Sequence, residues 1–305
     1  MSLVEDLARA VATLQHAGVA TPRADAELLA AHAAGTDRGG LQRLVVLRAG
    51  WPDGAGERFA ALVDERADRV PLQHLTGTAG FRGLELAVGP GVFVPRPETE
   101  VLAQVGLEAL PGDGTLAVDL CTGSAAVALA LALEGGARVG AVEHETAAHA
   151  WAQRNVAALG AGRVRLVHGD ATRPDLVAAA LPEHAGACAV VTANPPYVPD
   201  DAVPRDPEVA EHDPPAALYG GPDGMRVLAG CVRTAAVLLL PDGLLALEHG
   251  EDQAADVAAV LRREAPEGGS WDDVRHHVDL TGRTRVTTAR LRGPAASGDL
   301  GGSSA

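Results

Sequence analysis

Residues 115–136 read TLAVDLCTGSAAVALALALEGG and decide the fold. The stretch opens with an apolar run that predicts a buried strand, and a longer apolar run after Ser124 predicts a helix. Between the two runs lies a loop of small residues, from Cys121 to Ala125, with one glycine, Gly123. In open α/β sheets, nucleotide-like ligands bind at such a strand end, where small residues let backbone N–H groups approach. The loop lacks the glycines of a dinucleotide-binding fingerprint, so a plain strand-to-helix turn stays an alternative.

The alternation of strand and helix continues along the chain and predicts a parallel α/β sheet. A long Pro-rich loop follows the fourth strand of this sheet and reaches Pro222, and the two last segments predict an antiparallel pair. The later strand-like segments are RVGAVEH (138–144), RVRLVHGD (163–170), ACAVVTANPPY (187–197), GLLALEHG (243–250), DDVRHHVDL (272–280) and RVTTARL (285–291).

The N-terminal part of the chain is predicted to be helical. Apolar residues recur at helical spacing up to Gly18, and Thr21 followed by Pro22 predicts the start of a second helix. A third helical run contains Phe59, and the period then changes to short strands around Phe81 that are typical of a hairpin. We therefore predict a helical domain over 1–75, a β-hairpin linker over 76–95, an α/β domain over 96–292 and a disordered tail over 293–305.

The composition excludes several classes of protein. With 47% hydrophobic and 21% charged residues, the chain is typical of soluble globular proteins. It contains no lysine, so it cannot supply the phosphate-binding lysine of a P-loop or the Schiff-base lysine of a pyridoxal phosphate enzyme. The formal net charge of −15 opposes contact with a phosphate backbone. We therefore expect no direct binding to nucleic acid.

The cysteines and the N-terminus indicate a cytoplasmic protein. Cys121, Cys188 and Cys231 are far apart and lack metal-ligand spacing, so we expect reduced thiols and no metal. Glu5 and Asp6 stand where a signal peptide needs positive charge. The chain also lacks an apolar run long enough for a membrane span, so we expect neither secretion nor membrane insertion.

Carboxylates stand at the ends of two further strands. Glu143 ends the second strand of the sheet, where a carboxylate can accept hydrogen bonds from both hydroxyls of a ribose, and Asp170 ends the third. A solvated side chain is the alternative at each position. The carboxyl ends of parallel strands meet at one edge of the sheet, so the pair together points to a ligand site there.

The strongest signal is the tetrapeptide Asn194, Pro195, Pro196 and Tyr197 at the end of the fourth strand. Two prolines keep the backbone extended, which fixes the direction of the asparagine side chain. The Asn194 side-chain carbonyl and a main-chain carbonyl can together accept both protons of a planar NH2 group. The Tyr197 ring can pack against the flat group that carries this nitrogen. A Pro-rich loop that begins with a structural asparagine is the alternative.

These motifs together resemble the protein-(glutamine-N5) methyltransferase family that modifies peptide chain release factors, known as PrmC or HemK. NPPY alone is shared with amino-methyltransferases of nucleic acids, whereas VPRPETE upstream and the acidic Pro-rich loop downstream are more specific. The resemblance implies an α/β class I methyltransferase dependent on S-adenosylmethionine (AdoMet), with a Rossmann-like sheet of seven strands whose last two form an antiparallel hairpin. It also implies a small helical N-terminal domain that helps to hold the release factor. The segments that carry it are VPRPETE, DLCTGSAAVALALA, AVEHETAAHAWAQRN, GDA, NPPYVP and LEHGEDQ.

The resemblance assigns roles to residues by position. Arg96 and Glu98 would lie at the cofactor mouth, although Pro97 and Glu98 are also typical of a helix start. In AdoMet binding, residues 122–124 would contact the methionine end, Glu143 the ribose, and residues 170–171 the adenine. The expected AdoMet-binding residues are Cys121, Thr122, Gly123, Ser124, Ala125, Glu143, Asp170, Ala171 and Asn194. The expected substrate-binding residues are Asn194, Pro195, Pro196 and Tyr197, with Asn194, Pro195 and Tyr197 also catalytic.

Two residues depart from the family loop D-L-G-T-G-S-G. Cys121 and Ala125 replace its first and third glycines. Cys121 is tolerable if its φ stays negative, which we expect. A positive φ at Ala125 would cost about 1–2 kcal/mol, and its methyl group could crowd the ligand. Weakened AdoMet binding is therefore expected.

The implied reaction is direct methyl transfer from AdoMet to the side-chain amide nitrogen of the glutamine in a release factor's Gly-Gly-Gln motif, in translation termination. No metal and no covalent intermediate are expected, and we expect a cytoplasmic monomer. Three alternatives remain: methylation of a ribosomal-protein glutamine, methylation of an exocyclic amine of nucleic acid, and a non-catalytic paralogue.

Overall fold

The computed structural model describes residues 2–293, so the predicted disordered tail lies outside the described residues from position 294 onward. The helices are α1 Leu3–His16, α2 Pro22–Ala33, α3 Arg38–Val46, α4 Ala55–Ala67, α5 Leu72–Thr76, α6 Thr99–Glu108, α7 Ala126–Leu133, α8 Thr146–Leu159, α9 Pro174–Ala180, α10 Pro207–His212, α11 Pro215–Leu218, α12 Arg226–Leu238 and α13 Ala254–Arg263. The strands are β1 Thr78–Phe81, β2 Leu84–Ala87, β3 Leu116–Leu120, β4 Arg138–Glu143, β5 Val164–His168, β6 Cys188–Ala193, β7 Leu239–Glu248, β8 Ser270–Val278 and β9 Thr284–Arg292.

The first two predicted helices are confirmed, and local hydrogen bonds explain where they begin. At α1, the Ser2 hydroxyl accepts a hydrogen bond from the Glu5 backbone N–H at 3.3 Å, and the Glu5 carboxylate accepts one from the Ser2 N–H at 3.1 Å. This capping box satisfies two donors of the first turn. At α2, Pro22 is the first helical residue as predicted, but the Thr21 hydroxyl donates to the Asp25 carboxylate instead of capping the backbone.

Five helices escaped the sequence analysis: α3, the short helices α5 and α9, and the short helices α10 and α11 inside the predicted Pro-rich loop. Helix α3 begins with two glycines after Arg38, which weakens its helical signal, and the Asp37 carboxylate caps it by accepting from the Gly40 N–H at 2.7 Å. The other four have at most seven residues each, which is too short for a periodic pattern. Of the helices in residues 2–293, none is long and apolar enough to cross a bilayer.

The main sheet has seven strands in the order β5-β4-β3-β6-β7-β9-β8. Strands β3 to β7 pair in parallel, and β9 pairs antiparallel with both β7 and β8. The strand order reverses between β3 and β6, which makes the carboxyl ends of these two strands the switch point where open α/β sheets bind ligands. This topology confirms the predicted class I methyltransferase fold with its terminal antiparallel pair.

Alternation along the strands divides the apolar side chains between the two faces of the sheet. In β3, Ala117 packs into one core with α6 and α7, whereas Val118 and Leu120 pack into the other core with α12 and α13. Helix α7 is apolar on all sides, and its residues from Ala126 to Ala132 are buried. A helix without a polar face must be covered on all sides, so α7 is held firmly behind the loop that precedes it.

The described chain divides into two compact units. The first runs to Ala79 and includes Val88–Pro90 and Pro204–Asp213, and the second comprises Gly80–Ala87, Gly91–Val203 and the chain from Pro214 onward. Leu14, Leu29 and Phe59 are central to the apolar core of the first unit. Helix α10 follows NPPY in the sequence but belongs to the first unit. The division into 1–75, 76–95 and 96–292 stays a prediction.

A buried ion network joins α10 to the other helices of the first unit. The Arg66 guanidinium lies 2.8 Å from the Asp25 carboxylate and 2.7 Å from the Glu208 carboxylate. Arg69 also pairs with Glu208. Burial works against the charge of Glu208, but the hydrogen bonds that Arg69 and Arg66 donate to its carboxylate outweigh it and lower the pKa to about 2. Ionised Glu208 therefore stabilises the folded first unit.

Replacing Glu208 with glutamine should lower the free energy of unfolding by about 3 kcal/mol at pH 7, because Arg66 would lose a buried partner. The folded-state pKa lies below the ordinary value of 4.5, so this stabilisation is present above pH 4.5 and disappears as the pH falls towards 2. Denaturant unfolding at pH 7 and pH 3 measures both effects. Glu211→Gln on the exposed side of α10 is the control. An equal loss in both variants at pH 7 would contradict the prediction.

Candidate active site

The loop between β3 and α7 turns sharply at the switch point. Cys121, Gly123 and Ala125 all have left-handed backbone conformations, with φ of 56°, 56° and 67°. The expectation that Cys121 keeps a negative φ was therefore wrong, because the chain reverses as soon as β3 ends. Ala125 meets the condition that makes a side chain costly, about 1–2 kcal/mol. A Cβ built on Gly123 would meet nothing within 4 Å, so the space beside this residue is open.

The buried carboxylate of Asp119 holds this loop to the neighbouring strand. It accepts hydrogen bonds from the Thr122 hydroxyl in the loop at 2.5 Å and from the Thr192 hydroxyl in β6 at 2.7 Å. Burial raises the pKa of Asp119 to about 6, and these hydroxyls act in the opposite direction. Asp119 is 2% exposed, so its role is to position Thr122 and Thr192 and not to contact a ligand.

Glu143, at the end of β4, lies next to the loop. One carboxylate oxygen accepts from the Gly123 N–H and the other from the Glu145 N–H, both at 2.8 Å. Burial raises the pKa of Glu143, and backbone N–H groups of Glu145, Gly123 and His144 partly offset this. A carboxylate has about four acceptor positions, so Glu143 keeps capacity for further donors. The structure thus brings together two residues that the sequence assigned to one ligand.

Asp170 follows β5 along the same edge of the sheet. One of its carboxylate oxygens accepts from the Thr172 N–H at 2.8 Å and from the Thr172 hydroxyl at 2.7 Å. Burial opposes ionisation, but these bonds outweigh it and lower the pKa of Asp170. The next residue, Ala171, is buried, and its carbonyl accepts from the Thr234 hydroxyl of α12 at 2.7 Å. The second carboxylate oxygen of Asp170 is therefore the part that a ligand could use.

Asn194 begins the segment that follows β6. Its side-chain Nδ2 donates to the Thr99 hydroxyl of α6 at 3.3 Å. Pro195 is buried and Pro196 half-buried. Burial raises the pKa of the Tyr197 phenol, and the negative charge of Glu248 adds to the effect, so the hydroxyl stays protonated. The segment presents an oriented amide, a rigid backbone and a neutral ring.

Main-chain contacts hold the NPPY segment from the side. The Val198 N–H donates to the Leu218 carbonyl at 2.8 Å, and the side-chain amide of Gln253 donates to the Tyr197 carbonyl at 2.8 Å. Gly224 has φ of 74°, and a Cβ built on it would lie 2.1 Å from the Tyr197 carbonyl oxygen. A glycine is needed at this position, because any side chain would push the segment out of place.

Arg96 and Glu98 lie close enough to Tyr197 for their charges to affect the pKa of its hydroxyl. The charges of both residues influence the Tyr197 hydroxyl, and the Arg96 guanidinium sits 5.1 Å from the centre of the Phe93 ring. Glu98 is the residue before α6, so the helix-start interpretation also fits the structure. The expected role at the cofactor mouth stays a prediction.

Sequence reasoning overlooked Asp119, Thr99 and Glu248. Glu248 ends β7 and is 3% exposed, in the neighbourhood of Asn194 and Thr99. The rule that singled out Glu143 and Asp170, a carboxylate at a strand end, applies equally to LEHG. Asp119 had a signal as well, since it is a charged residue in an apolar strand. Thr99 had none, because its role depends on where α6 packs.

The arrangement suits transfer to a nitrogen nucleophile. Carboxylates and backbone groups near the β3 loop can bind hydroxyls and an adenine-like ring, while the adjacent NPPY segment offers carbonyl acceptors for an NH2 group. The two halves meet where β3 and β6 lie side by side. A donor and an acceptor bound there would lie next to each other.

A family model described as the PrmC N-terminal domain matches residues 5–77. Curated proteins match nearly the whole chain. The release factor glutamine methyltransferase of Mycolicibacterium smegmatis (strain ATCC 700084 / mc(2)155) is 49% identical over 92% of this chain and 94% of its own. That of Mycobacterium tuberculosis (strain ATCC 25618 / H37Rv) is 44% identical over 95% of this chain and 91% of its own.

A relative with a different name is also similar. The 4-amino-L-phenylalanine/4-methylamino-L-phenylalanine methyltransferase of Streptomyces pristinaespiralis is 41% identical over 86% of this chain and 87% of its own. Both groups of relatives are named as methyltransferases, and those that cover more of this chain share one name. From the identity and coverage of these relatives, the chain belongs to the release factor glutamine methyltransferase family.

Proposed function

We propose that this protein transfers a methyl group from AdoMet to the side-chain amide nitrogen of the glutamine in the Gly-Gly-Gln motif of a peptide chain release factor. The observation that carries the proposal is the orientation of Asn194, which follows β6 beside the β3 loop. Its Nδ2 donates a hydrogen bond to the Thr99 hydroxyl of α6. Its Oδ1 is thereby available for an incoming NH2 group. Relatives at 44–49% identity over more than nine-tenths of the chain support the same assignment.

The residues of the β3 loop and of the neighbouring strand ends fit AdoMet. Open space lies beside Gly123, and Glu143 keeps acceptor capacity for the ribose hydroxyls. Asp170 keeps a carboxylate oxygen for a donor on the adenine side. When bound, AdoMet supplies an electrophilic methyl group on a sulfonium centre.

The chain's own residues correct the weak nucleophilicity of an amide. The lone pair of an amide nitrogen is delocalised into its carbonyl, which keeps the nitrogen planar. Hydrogen bonds from the NH2 group to Asn194 Oδ1 and the Pro195 carbonyl favour a pyramidal nitrogen, so they stabilise the transition state more than the ground state. The rigid Pro195 and Pro196 backbone fixes both acceptors before the substrate arrives.

The side chain of Ala125 bears on the alternative of a non-catalytic paralogue. Ala125 is 0% exposed and belongs to the same apolar core as the residues of α7. A methyl group buried on that side argues against crowding of the ligand. Its burial also contributes about 0.8 kcal/mol, which offsets much of the cost of a positive φ. The loop can therefore keep alanine and still bind AdoMet.

Other nitrogen substrates compete with the release factor. A ribosomal-protein glutamine presents the same amide, and an exocyclic amine of nucleic acid presents a similar planar NH2 group. The name of the relative from Streptomyces pristinaespiralis adds an arylamine to these possible nitrogen substrates. The net charge of −15 argues against nucleic acid.

Methyl transfer from labelled AdoMet should depend on the glutamine of the release factor. Recombinant release factor should become labelled, and its Gln-to-Ala variant should not. Ribosomal proteins, single-stranded RNA and 4-aminophenylalanine are tested in parallel. Labelling of one of these in preference to the release factor would contradict the proposal, and so would labelling of the Gln-to-Ala variant.

Asn194→Ala should lower kcat by about a hundredfold or more, because the substrate NH2 group would lose an acceptor. AdoMet affinity, measured by titration calorimetry, should change little. Gln104→Ala removes an exposed side-chain amide from α6 and serves as the control. Near-normal turnover of Asn194→Ala would contradict the proposed role.

Ala125→Gly should cost at least about 1 kcal/mol less in unfolding free energy than Ala130→Gly. Both variants lose a buried methyl group, but only the first relieves a positive φ, whereas the second also puts glycine inside α7. Denaturant unfolding measures the difference. AdoMet affinity of Ala125→Gly should stay within about threefold of the wild type, since the methyl group packs in the core. Much tighter binding would show that Ala125 does obstruct the cofactor.

A further inference from the structure

Glu248 is a buried carboxyl that the mechanism so far leaves unused. It is the last residue of β7, which pairs in parallel with β6, and Ala193 lies opposite Leu247. Glu248 therefore ends β7 at the level where Asn194 follows β6. The residue is 3% exposed, and its Oε2 has no hydrogen-bond partner among the described residues. Burial of a charged carboxyl costs free energy, so we expect this carboxyl to have a role in the site.

The charge of Glu248 determines which of the neighbouring groups can donate and which can accept hydrogen bonds. The side chains of Thr99 and Asn194 lie beside its carboxyl and favour the ionised form, which lowers its pKa against the effect of burial. An ionised carboxylate only accepts, so in any hydrogen bond between Thr99 and Glu248 the Thr99 hydroxyl is the donor. The oxygen of Thr99 is then left to accept, and it does so from Asn194 Nδ2.

The direction of these bonds determines which end of the Asn194 amide faces the substrate. With both acceptors on one side, the NH2 group must lie towards Thr99 and Glu248, and Oδ1 must lie on the other side. A flipped amide would place Oδ1 against two acceptors. The reaction needs Oδ1, because the substrate NH2 group can be held only by an acceptor.

We propose that Glu248 is a positioning residue that fixes the Asn194 side-chain amide with its oxygen towards the substrate. The proposal rests on the proposed function for its consequence in catalysis. Glu248 itself need not touch the substrate, since it acts through Asn194 and Thr99.

Protonation of Glu248 would weaken this control. Burial raises its pKa to about 7; Thr99, Arg285 and Asn194 act against this shift, while Glu98 adds to it. Tyr197 also faces the carboxyl and stays neutral, and Arg285 is itself paired with Asp279 at 3.2 Å. A protonated carboxyl can donate, so it can satisfy Asn194 Oδ1 and allow the amide to flip. The folded-state pKa is raised, so orientation of the amide improves as the pH rises through about 7.

NMR can test the orientation without any substrate. The chain contains only two asparagines, Asn155 and Asn194, so labelling of asparagine with 15N gives two side-chain NH2 signals. The Asn194 signals should titrate with a midpoint near pH 7 in the wild-type protein. Those of Asn155 should not, because its side-chain amide is hydrogen-bonded to the backbone of Ala87 and Ser124 and not to Glu248. Asn155 is thus an internal control.

The matched variants are Glu248→Gln and Glu251→Gln. Glutamine at position 248 can donate as well as accept, so the Asn194 titration should vanish and kcat should fall about tenfold with AdoMet affinity unchanged. The rise of wild-type kcat through pH 7 should also be absent. Glu251, paired with Arg283 at 3.2 Å, should tolerate the same change with wild-type kcat and pH profile.

Two results would overturn the proposal. One is an Asn194 signal in the wild type that does not respond to pH between 5.5 and 8.5 (about 1.5 units either side of the expected midpoint). The other is a Glu248→Gln variant with wild-type kcat and pH profile. The first measurement needs no variant and no substrate. A normal Asn194 titration without methylation of the release factor would therefore count against the proposed function and not against the positioning of Asn194.

Discussion

The carboxylate of Asp119 is the constraint on which the site depends. It lies in β3 at the switch point and binds hydroxyls on both sides, Thr122 in the loop and Thr192 in β6. A buried charge is costly unless it is fully hydrogen-bonded, so each of these contacts must form together with the others. The loop between β3 and α7 and the strand that leads to Asn194 are therefore positioned by one group.

This constraint explains how the loop tolerates unfavourable backbone angles. Cys121 and Ala125 both have a positive φ where the family has glycine. Such strain persists where the surroundings overdetermine the conformation. Here Asp119 holds the loop at one end and the apolar helix α7 buries Ala125 at the other. Beside β6, Thr99 holds the Asn194 side-chain amide by a hydrogen bond, and in our proposal Glu248 fixes its direction.

Much of this arrangement could be predicted from residue patterns. The alternation of strand and helix from residue 115 predicted the parallel sheet, and NPPY with two strand-end carboxylates predicted its functional edge. The short helix α10 could not be predicted, because six residues show no period and its stability comes from Glu208, which pairs with Arg66 far away in the sequence. Thr99 was missed because its contact with Asn194 also joins residues that are far apart in the sequence. Glu248 was missed although it ends a strand, as Glu143 does.

The sequence by itself determined the class of fold and the family, and it predicted most of the residues that we propose to face the ligand. These depend on local periodicity and on short motifs, which are written in consecutive residues. Only the tertiary structure decided the sign of φ at Cys121, the burial of the Ala125 methyl group and the hydrogen bond from Asn194 to Thr99 beside the buried Glu248. Each of these depends on groups that lie far apart in the chain and meet only when the sheet and its helices pack.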